Sequence, residues 1–153
     1  MAKASTKKSP IITESFGGVV VNPLGEFLLV GHQKGGAVTF PKGHKEKGEG
    51  GLEAAVREVY EEAGISELVY ISELGKYSRF RISKNGKGYD TSELKTIHLI
   101  LFESGDKSPS SNDPENINPR LVKKEMVGST LTDKKDREFF YNILPKIERC
   151  LNL

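Results

Sequence analysis

Three glutamates lie close together in one short segment of the chain. Glu58 and Glu62 are four residues apart, and Glu61 follows Glu58 by three residues. Residues at these spacings are neighbours on a helix, so the carboxylates would form one acidic edge. A divalent cation would reverse their mutual repulsion, because Mg²⁺ takes hard oxygen ligands and keeps substrate phosphates in its shell. A solvated acidic helix face is the alternative interpretation of the same pattern.

A glycine-rich loop precedes this acidic edge and favours the metal interpretation. The loop reads PKGHKEKGEGG from Pro41 to Gly51. Its glycines allow sharp turns and a close approach of the backbone to a ligand. Glu49 and the loop carbonyls can supply further oxygen ligands. The positive charge that would attract phosphates comes from Lys42, His44, Lys45 and Lys47.

From Gly43 to Ile65 the sequence resembles the Nudix hydrolase family. The family motif is Gly, five residues, Glu, seven residues, Arg-Glu, an aliphatic residue, any residue, Glu-Glu, any residue, Gly and an aliphatic residue. Average residue usage gives a chance match on the order of once in 10⁹ placements. This chain fills the motif with Gly43, Glu49, Arg57, Glu58, Val59, Glu61, Glu62, Gly64 and Ile65.

The resemblance implies a metal site built from the motif. Glu58 and Glu62 would be the main ligands of Mg²⁺ or Mn²⁺, and Glu61 would be a further ligand or would activate water. Glu49 would support the metal shell, and the Lys42 carbonyl would add a backbone oxygen. The implied reaction is hydrolysis of a phosphoanhydride bond by in-line attack of water on phosphorus.

The identity of the catalytic base stays open, because members of the family use different glutamates for this step. Glu103 follows the apolar run IHLILF and could point back to the metal ions; a surface position at a strand end is its alternative. Glu125 is a second candidate outside the motif. Arg57 would orient the glutamates through charge-assisted hydrogen bonds. The predicted catalytic residues are Glu58, Glu61, Arg57 and Glu103.

Two segments indicate the substrate. The entry Phe40-Pro41-Lys42-Gly43-His44 resembles the dinucleoside polyphosphate (Ap4A-type) and diphosphoinositol branches of the family. Downstream, alternate residues of one strand would share a face, where two arginines could grip a polyphosphate and a tyrosine could stack on a base. An exposed cationic sheet surface is the alternative for that face. The predicted substrate contacts are Lys42, His44, Tyr77, Arg79 and Arg81.

The expected function is therefore metal-dependent hydrolysis of a dinucleoside polyphosphate such as Ap4A. One alternative is a housecleaning enzyme that acts on an oxidised or deoxy nucleoside triphosphate or on a nucleoside diphosphate conjugate. The other is a non-catalytic nucleotide-binding sensor module on the same fold. Sensor modules should lose motif glutamates, and this chain keeps them all, which favours an enzyme.

The surrounding pattern predicts the elements that position these residues. Apolar runs predict a hairpin of Phe16–Val21 and Glu26–Gly31, and a short strand over Ala37–Phe40. Helical spacing predicts a helix over Leu52–Ala63 that ends at Gly64. Its predicted core face is Leu52, Ala55, Val56, Val59 and Ala63.

The second half of the chain continues this alternation. Strands are predicted over Leu68–Leu74, Lys76–Ile82 and Thr96–Phe102, and Ser104–Arg120 is predicted to be a long polar loop. A final helix, capped by Thr132, would run to about Cys150 and be disturbed at Pro145. These elements predict an α/β fold with a mixed sheet, and the resemblance implies a Nudix-type α/β/α sandwich.

Composition limits the remaining possibilities. The 153 residues predict one domain over 13–153 behind a flexible basic tail over 1–12. The net charge of +2 gives little reason to expect nucleic acid, including an RNA 5′ end, as a partner. No apolar run approaches the roughly 20 residues that span a bilayer. The single cysteine, Cys150, leaves no internal disulfide and fits a reducing cytoplasm. The expected partner is a small-molecule nucleotide substrate, and the oligomeric state stays open.

Overall fold

A curved mixed sheet runs through the chain and carries helices on both faces. The computed structural model describes residues 9–32 and 36–153. Its elements are β1 (Ile11–Val21), β2 (Glu26–His32), β3 (Val38–Thr39), β4 (Lys42–His44), α1 (Gly51–Ala63), β5 (Leu68–Ile82), β6 (Tyr89–Ser104), β7 (Ile117–Lys123), α2 (Lys124–Thr130) and α3 (Lys134–Leu151).

The sheet divides beside β1, and this division positions the motif. The strand order is β3-β2-β1-β6-β5, with β4 also paired to β1 and β7 paired to β2. β4 pairs with Ser15–Gly17 in the middle of β1, whereas β2 pairs with Val21 at its end. β1 and β6 are parallel along their length, and the other pairs are antiparallel. The glycine-rich loop therefore begins where two partner strands separate.

The two faces of the sheet bury two separate apolar clusters. Val20 packs with Val59 and Ala55 of α1 on one face. Val19, its neighbour in β1, packs with Phe140 and Ile147 of α3 on the other face. Each fully buried side chain of this size contributes about 1.5–3 kcal/mol, so both faces stabilise the sheet. The predicted α/β/α sandwich is confirmed.

Helix α1 follows the prediction except at its first turn. Ala55, Val59 and Ala63 are buried, and Gly64 ends the helix with a left-handed backbone at φ 68°. Leu52 is 45% exposed, so its predicted place on the core face is wrong. The Phe16 ring occupies the core position at the helix start, where it lies against the bare Cα of Gly51.

Several boundaries differ from the prediction for local reasons. β5 is one strand instead of two, because Gly75 at φ 104° absorbs a bulge opposite β6. β1 already begins at Ile11, inside the predicted tail; residues 1–8 of that tail lie outside the described residues. β4 and α2 were not predicted, since each is too short to show a period.

Helix α3 starts one residue later than its predicted cap. The Asp133 carboxylate accepts from the backbone N–H groups of Lys135 and Asp136, which makes Asp133 the cap. Thr132 instead accepts a hydrogen bond from the Val38 N–H and so ties α3 to β3. The helix continues through Pro145 to Leu151. In the described ranges, no helix combines the length and apolar character needed to cross a membrane.

Candidate active site

The acidic edge of α1 packs against the first residues of the motif. The Lys42 N–H donates to Glu62 Oε1 at 2.8 Å. A side chain on Gly43 would overlap the Glu58 carboxylate, so only glycine lets β4 approach the helix this closely. Backbone and carboxylate oxygens are thus brought together where β4 leaves the sheet.

Glu62 and Glu58 lie in an environment that disfavours their charge. Glu62 is 8% exposed, and burial raises its pKa to about 7. Burial also raises the pKa of Glu58, although the Arg57 guanidinium opposes the shift. A buried carboxylate is costly unless it is paired or coordinates a metal. The electrostatics of this edge therefore favour a bound cation.

Arg57 holds the other motif glutamates in place. Its Nε donates to Glu49 at 2.7 Å, and its Nη1 donates to Glu58 at 2.8 Å and to Glu61 at 3.1 Å. A further bond reaches the carbonyl of His44 at 2.8 Å. Hydrogen bonds to Glu49 above all raise the pKa of Arg57, so its charge is fixed. These are the contacts that the predicted orienting role requires.

The donor chemistry of this edge fits Mg²⁺ or Mn²⁺. Every available ligand is an oxygen, from Glu58, Glu61, Glu62 and the Lys42 carbonyl, and hard cations prefer such sets. One Glu62 oxygen accepts from Lys42, which leaves the other free for a ligand. Across residues 9–32 and 36–153, no three carboxylate, histidine or cysteine side chains are already gathered as a metal cage. A metal site that completes its coordination with substrate phosphates does not require such a preformed cage of side chains.

A cationic cavity of about 340 Å³ lies beside this edge. Lys42 belongs to both, since its backbone contacts Glu62 and its side chain lines the cavity. Hence an anion in the cavity would lie next to the carboxylates of α1. The polar side chains that line the cavity are those of His32, Thr39, Lys42, Arg79, Arg81, Ser83, Lys84 and Lys95.

Burial and mutual repulsion act on the cations of this cavity. Burial, with Arg79 and Lys95 nearby, lowers the pKa of Lys42 to about 8. Burial likewise lowers the pKa of Lys95 and brings that of His32 to about 4. Positive groups that disfavour one another's charge are stabilised by an anion placed among them. The cavity is therefore suited to phosphate groups.

Comparison with known proteins agrees with this geometry. A NUDIX domain profile matches residues 12–144. The chain belongs to the Nudix hydrolase family. It is accordingly a pyrophosphohydrolase, and enzymes of this family generally use a divalent metal.

Solved structures share the fold at low sequence identity. A MutT protein from Methanosarcina mazei Go1 is 22% identical, with a TM-score of 0.67 over 93% of this chain and 99% of that one. A C. elegans Ap4A hydrolase in a binary complex is 20% identical, with a TM-score of 0.69 over 88% of this chain and 98% of that one. A MutT protein from Bacillus halodurans is 24% identical, with a TM-score of 0.59 over 86% and 81% of the two chains.

Of the two predicted arginines beside the Nudix motif, only Arg81 is accessible. Its side chain is 46% exposed. Arg79 is 2% exposed, and its Nε and Nη2 donate to the two Asp136 oxygens at 2.7 and 3.2 Å. Since α3 supplies this carboxylate, Arg79 is a paired charge in the cavity floor. The prediction that Arg79 binds a polyphosphate with a free guanidinium is corrected accordingly, because the guanidinium is paired with Asp136.

Tyr77 is also held by α3. Its ring stacks on Phe139 with centroids 4.4 Å apart, and its hydroxyl donates to Asp136. Tyr77 does not line the cationic cavity. The predicted stacking of Tyr77 on a base is therefore wrong. Tyr77 and Arg79 do share one face of β5, as predicted, but helix α3 covers that face at Tyr77.

Glu103 lies away from the Nudix motif. It is exposed and pairs with Val21, whereas Lys42 pairs with Gly17. Four residues along a strand span about 13 Å. The prediction that Glu103 points back to the metal site is wrong, because β6 continues past the motif before it ends. Glu125 lies beside Gly25 at that same far end.

Glu93, which was not predicted from the sequence, lies between two of the predicted substrate contacts, His44 and Arg81. Its carboxylate accepts from Thr13 Oγ1 at 2.7 Å and lies 3.5 Å from His44 Nε2. Arg81 and Lys95 are also within 4 Å of it. His44 thus lies beside the cavity cations, as its predicted phosphate role requires. The alternation of Glu93 and Lys95 before an apolar run was the available signal, but it fits an exposed strand equally well.

The predicted long loop has two parts with different surroundings. The Ser110 N–H donates to the Ala63 carbonyl at 2.8 Å, and Lys107 Nζ donates to the Gly64 carbonyl at 3.1 Å. This first part caps the end of the Nudix helix. The second part, residues 114–118, lines an open groove.

Proposed function

We propose that this enzyme hydrolyses a phosphoanhydride bond in a dinucleoside polyphosphate such as Ap4A, with Mg²⁺ as its metal. The observation that carries the proposal is the cationic cavity joined to the acidic edge through Lys42. A polyphosphate in the cavity would place one of its phosphorus atoms beside Glu58 and Glu62.

The residues would divide the chemistry between them. Glu58, Glu61 and Glu62, with the Lys42 carbonyl, would hold Mg²⁺, which neutralises charge on the bridging and leaving oxygens. Lys42 and Arg81 would hold the phosphate chain through charge-assisted hydrogen bonds. Water would attack phosphorus in line and lose its proton to a motif glutamate that Arg57 orients. The bond between phosphorus and the bridging oxygen would break, and the leaving phosphate would depart.

The number of cations favours a long phosphate chain. Lys42, Lys84, Lys95 and Arg81 line the cavity, and Glu93 is the one carboxylate within ion-pair distance of this set in the described part of the chain. Four phosphates offer these groups more oxygens than three do. The fold shared with a C. elegans Ap4A hydrolase is compatible with this choice.

A housecleaning triphosphatase is the second candidate, since the chain is also similar to MutT proteins. Both activities would use the same metal edge. They differ in how far the substrate extends past Lys42. A panel of Ap4A, standard nucleoside triphosphates and oxidised or deoxy triphosphates with Mg²⁺, read by chromatography of the products, separates the two.

We expect the highest kcat/KM for Ap4A, with ATP among the products. Arg81→Ala should raise KM more for Ap4A than for a triphosphate. Arg149→Ala, at an exposed arginine in the last turn of α3, is the matched control and should change neither value. A panel in which an oxidised or deoxy triphosphate outperforms Ap4A rejects the proposal in favour of housecleaning.

A further inference from the structure

A groove of about 890 Å³ opens next to the cationic cavity. The two spaces share His32 and Gly36, so one ligand can extend from the cavity into the groove. The volume lies in the range of about 300–1,000 Å³ that is usual for small-molecule sites. The proposed phosphate chemistry leaves this space unused.

The groove differs from the cavity in charge. Its charged side chains are one carboxylate, Glu115, and one guanidinium, Arg120. The remaining lining includes glycines, Val38 and the carboxamides of Asn116 and Asn118. A carboxamide both donates and accepts hydrogen bonds, as the edges of a nucleobase do. The groove is thus suited to a neutral, hydrogen-bonding group.

The Arg120 side chain, from β7, lies over Gly31 of the neighbouring strand β2. Its Nη2 is 3.3 Å from the point that a Cβ on Gly31 would occupy. The arginine ion pairs in the described ranges belong to Arg57, Arg79 and Arg81, so no carboxylate neutralises Arg120. A guanidinium is planar and stacks on aromatic rings. It can serve here as the stacking surface that Tyr77 does not provide.

We propose that this groove binds one nucleoside of the dinucleoside polyphosphate, with the base stacked on Arg120 and its edge bonded by Asn118. The inference rests on the proposed function, because the phosphates held in the cavity bring the nucleoside to the groove. Gly31 supports this arrangement, because a Cβ at that position would lie 3.3 Å from Arg120 Nη2 and would shift the guanidinium.

The test compares Ap4A with inorganic tetraphosphate, which has the same number of phosphates and lacks both nucleosides. Arg120→Lys keeps the charge and removes the plane, and Gly31→Ala requires the guanidinium to shift by a few tenths of an ångström. Arg120→Lys should raise KM for Ap4A about tenfold, as expected for one lost stacking contact, and Gly31→Ala should raise it by less. KM for inorganic tetraphosphate should stay unchanged in both. Asn112→Ala, an exposed asparagine of the same loop outside the groove, is the matched control.

The other outcomes overturn the inference in distinguishable ways. If both variants keep the wild-type advantage of Ap4A, the nucleoside binds elsewhere and the proposed function stands. If Arg120→Lys and Arg120→Ala raise KM equally for both substrates, Arg120 is a phosphate ligand. If the wild type shows no advantage for Ap4A, the proposed function fails and the groove has no nucleoside to bind. Arg120 is exposed, so its variants should fold.

Discussion

At the scale of single residues, Glu62 links the fold to the chemistry. Its pKa is raised to about 7 by burial, so the metal-free native state resists ionisation that the unfolded chain undergoes near its usual pKa of 4.5. Between these pH values the native state binds more protons than the unfolded state. Glu62 should therefore contribute a fall in the free energy of unfolding as pH rises from about 4.5 to 7, whereas His32, whose pKa is lowered to about 4, contributes a rise between about pH 4 and 6.5. The difference between wild type and a Glu62 variant isolates the first contribution.

Glu62→Gln should remove this fall and make the metal-free protein more stable than wild type above pH 7. Turnover should drop by several orders of magnitude, since an amide cannot replace a carboxylate ligand. Urea unfolding in chelator across this pH range, with initial rates in Mg²⁺, measures both. Glu53→Gln, at an exposed position of the same helix, is the control. Near-normal turnover of Glu62→Gln would show that this helix face has no metal role.

Asp136 is the residue whose loss should most affect stability. It pairs with Arg79 in a nearly fully buried ion pair, and Tyr77 also donates to it. Removing one partner of a buried pair leaves the other charge uncompensated. We expect Asp136→Ala to lower the free energy of unfolding by about 3–5 kcal/mol in urea titrations. Glu138→Ala, in an exposed pair of the same helix, should change it by less than about 0.5 kcal/mol; equal losses would contradict the argument.

The residues that sequence could and could not predict differ in how they are brought together. The motif glutamates and Arg57 lie within one helix and its loop, so their spacing alone gives their arrangement. Asp136 is 57 residues from Arg79, and Glu93 is 80 residues from Thr13. Such pairs exist only after the strands and α3 have packed. Tyr77 was misjudged for the same reason.

At the scale of elements, periodic segments were predicted well and short or irregular ones were not. Helix α1 and strand β2 match the pattern of their apolar residues. β4 is the unpredicted sequence KGH, which becomes a strand because β1 leaves Ser15–Gly17 open to pairing. β5 is continuous because Gly75 lies in a bulge. In the sequence, a glycine at this position predicts a break between two strands.

The loop over residues 104–116 should show two behaviours in hydrogen exchange. The Ser110 N–H is bonded to the end of α1, so its exchange should be slow with or without ligand. Glu115 is exposed in the part that lines the groove, and its backbone N–H should gain protection when a non-hydrolysable Ap4A analogue is bound, whereas the N–H groups of Asn116 and Ile117 already donate to the Asp113 carbonyl without ligand. Exchange measured by mass spectrometry with overlapping peptides distinguishes the two parts. Uniform protection across the loop would contradict the division.

At the scale of the whole molecule, the divided sheet explains why the site lies where it does. β1 pairs with β4 in its middle and with β2 at its end, so the motif loop leaves the sheet between them. α1 places its acidic edge on one side of this opening. α3 fixes Arg79 on the opposite face of the sheet, in the floor of the cationic cavity. The Lys42 backbone N–H donates to Glu62 of α1, and Lys42 lines the same cavity as Arg79.

Metal binding should therefore couple activity and global stability in this arrangement. Chelator should abolish hydrolysis, and added Mg²⁺ should restore it. Because the cation removes repulsion along α1 and compensates buried carboxylates, Mg²⁺ should also raise the melting temperature. A ligand at 100 times its Kd adds about 2.7 kcal/mol to the free energy of unfolding. The Glu58→Gln, Glu62→Gln double variant should melt at the same temperature with and without Mg²⁺. A Mg²⁺-dependent shift that persists in this variant would place the metal outside the acidic edge, and full activity in excess chelator would remove the metal from the reaction.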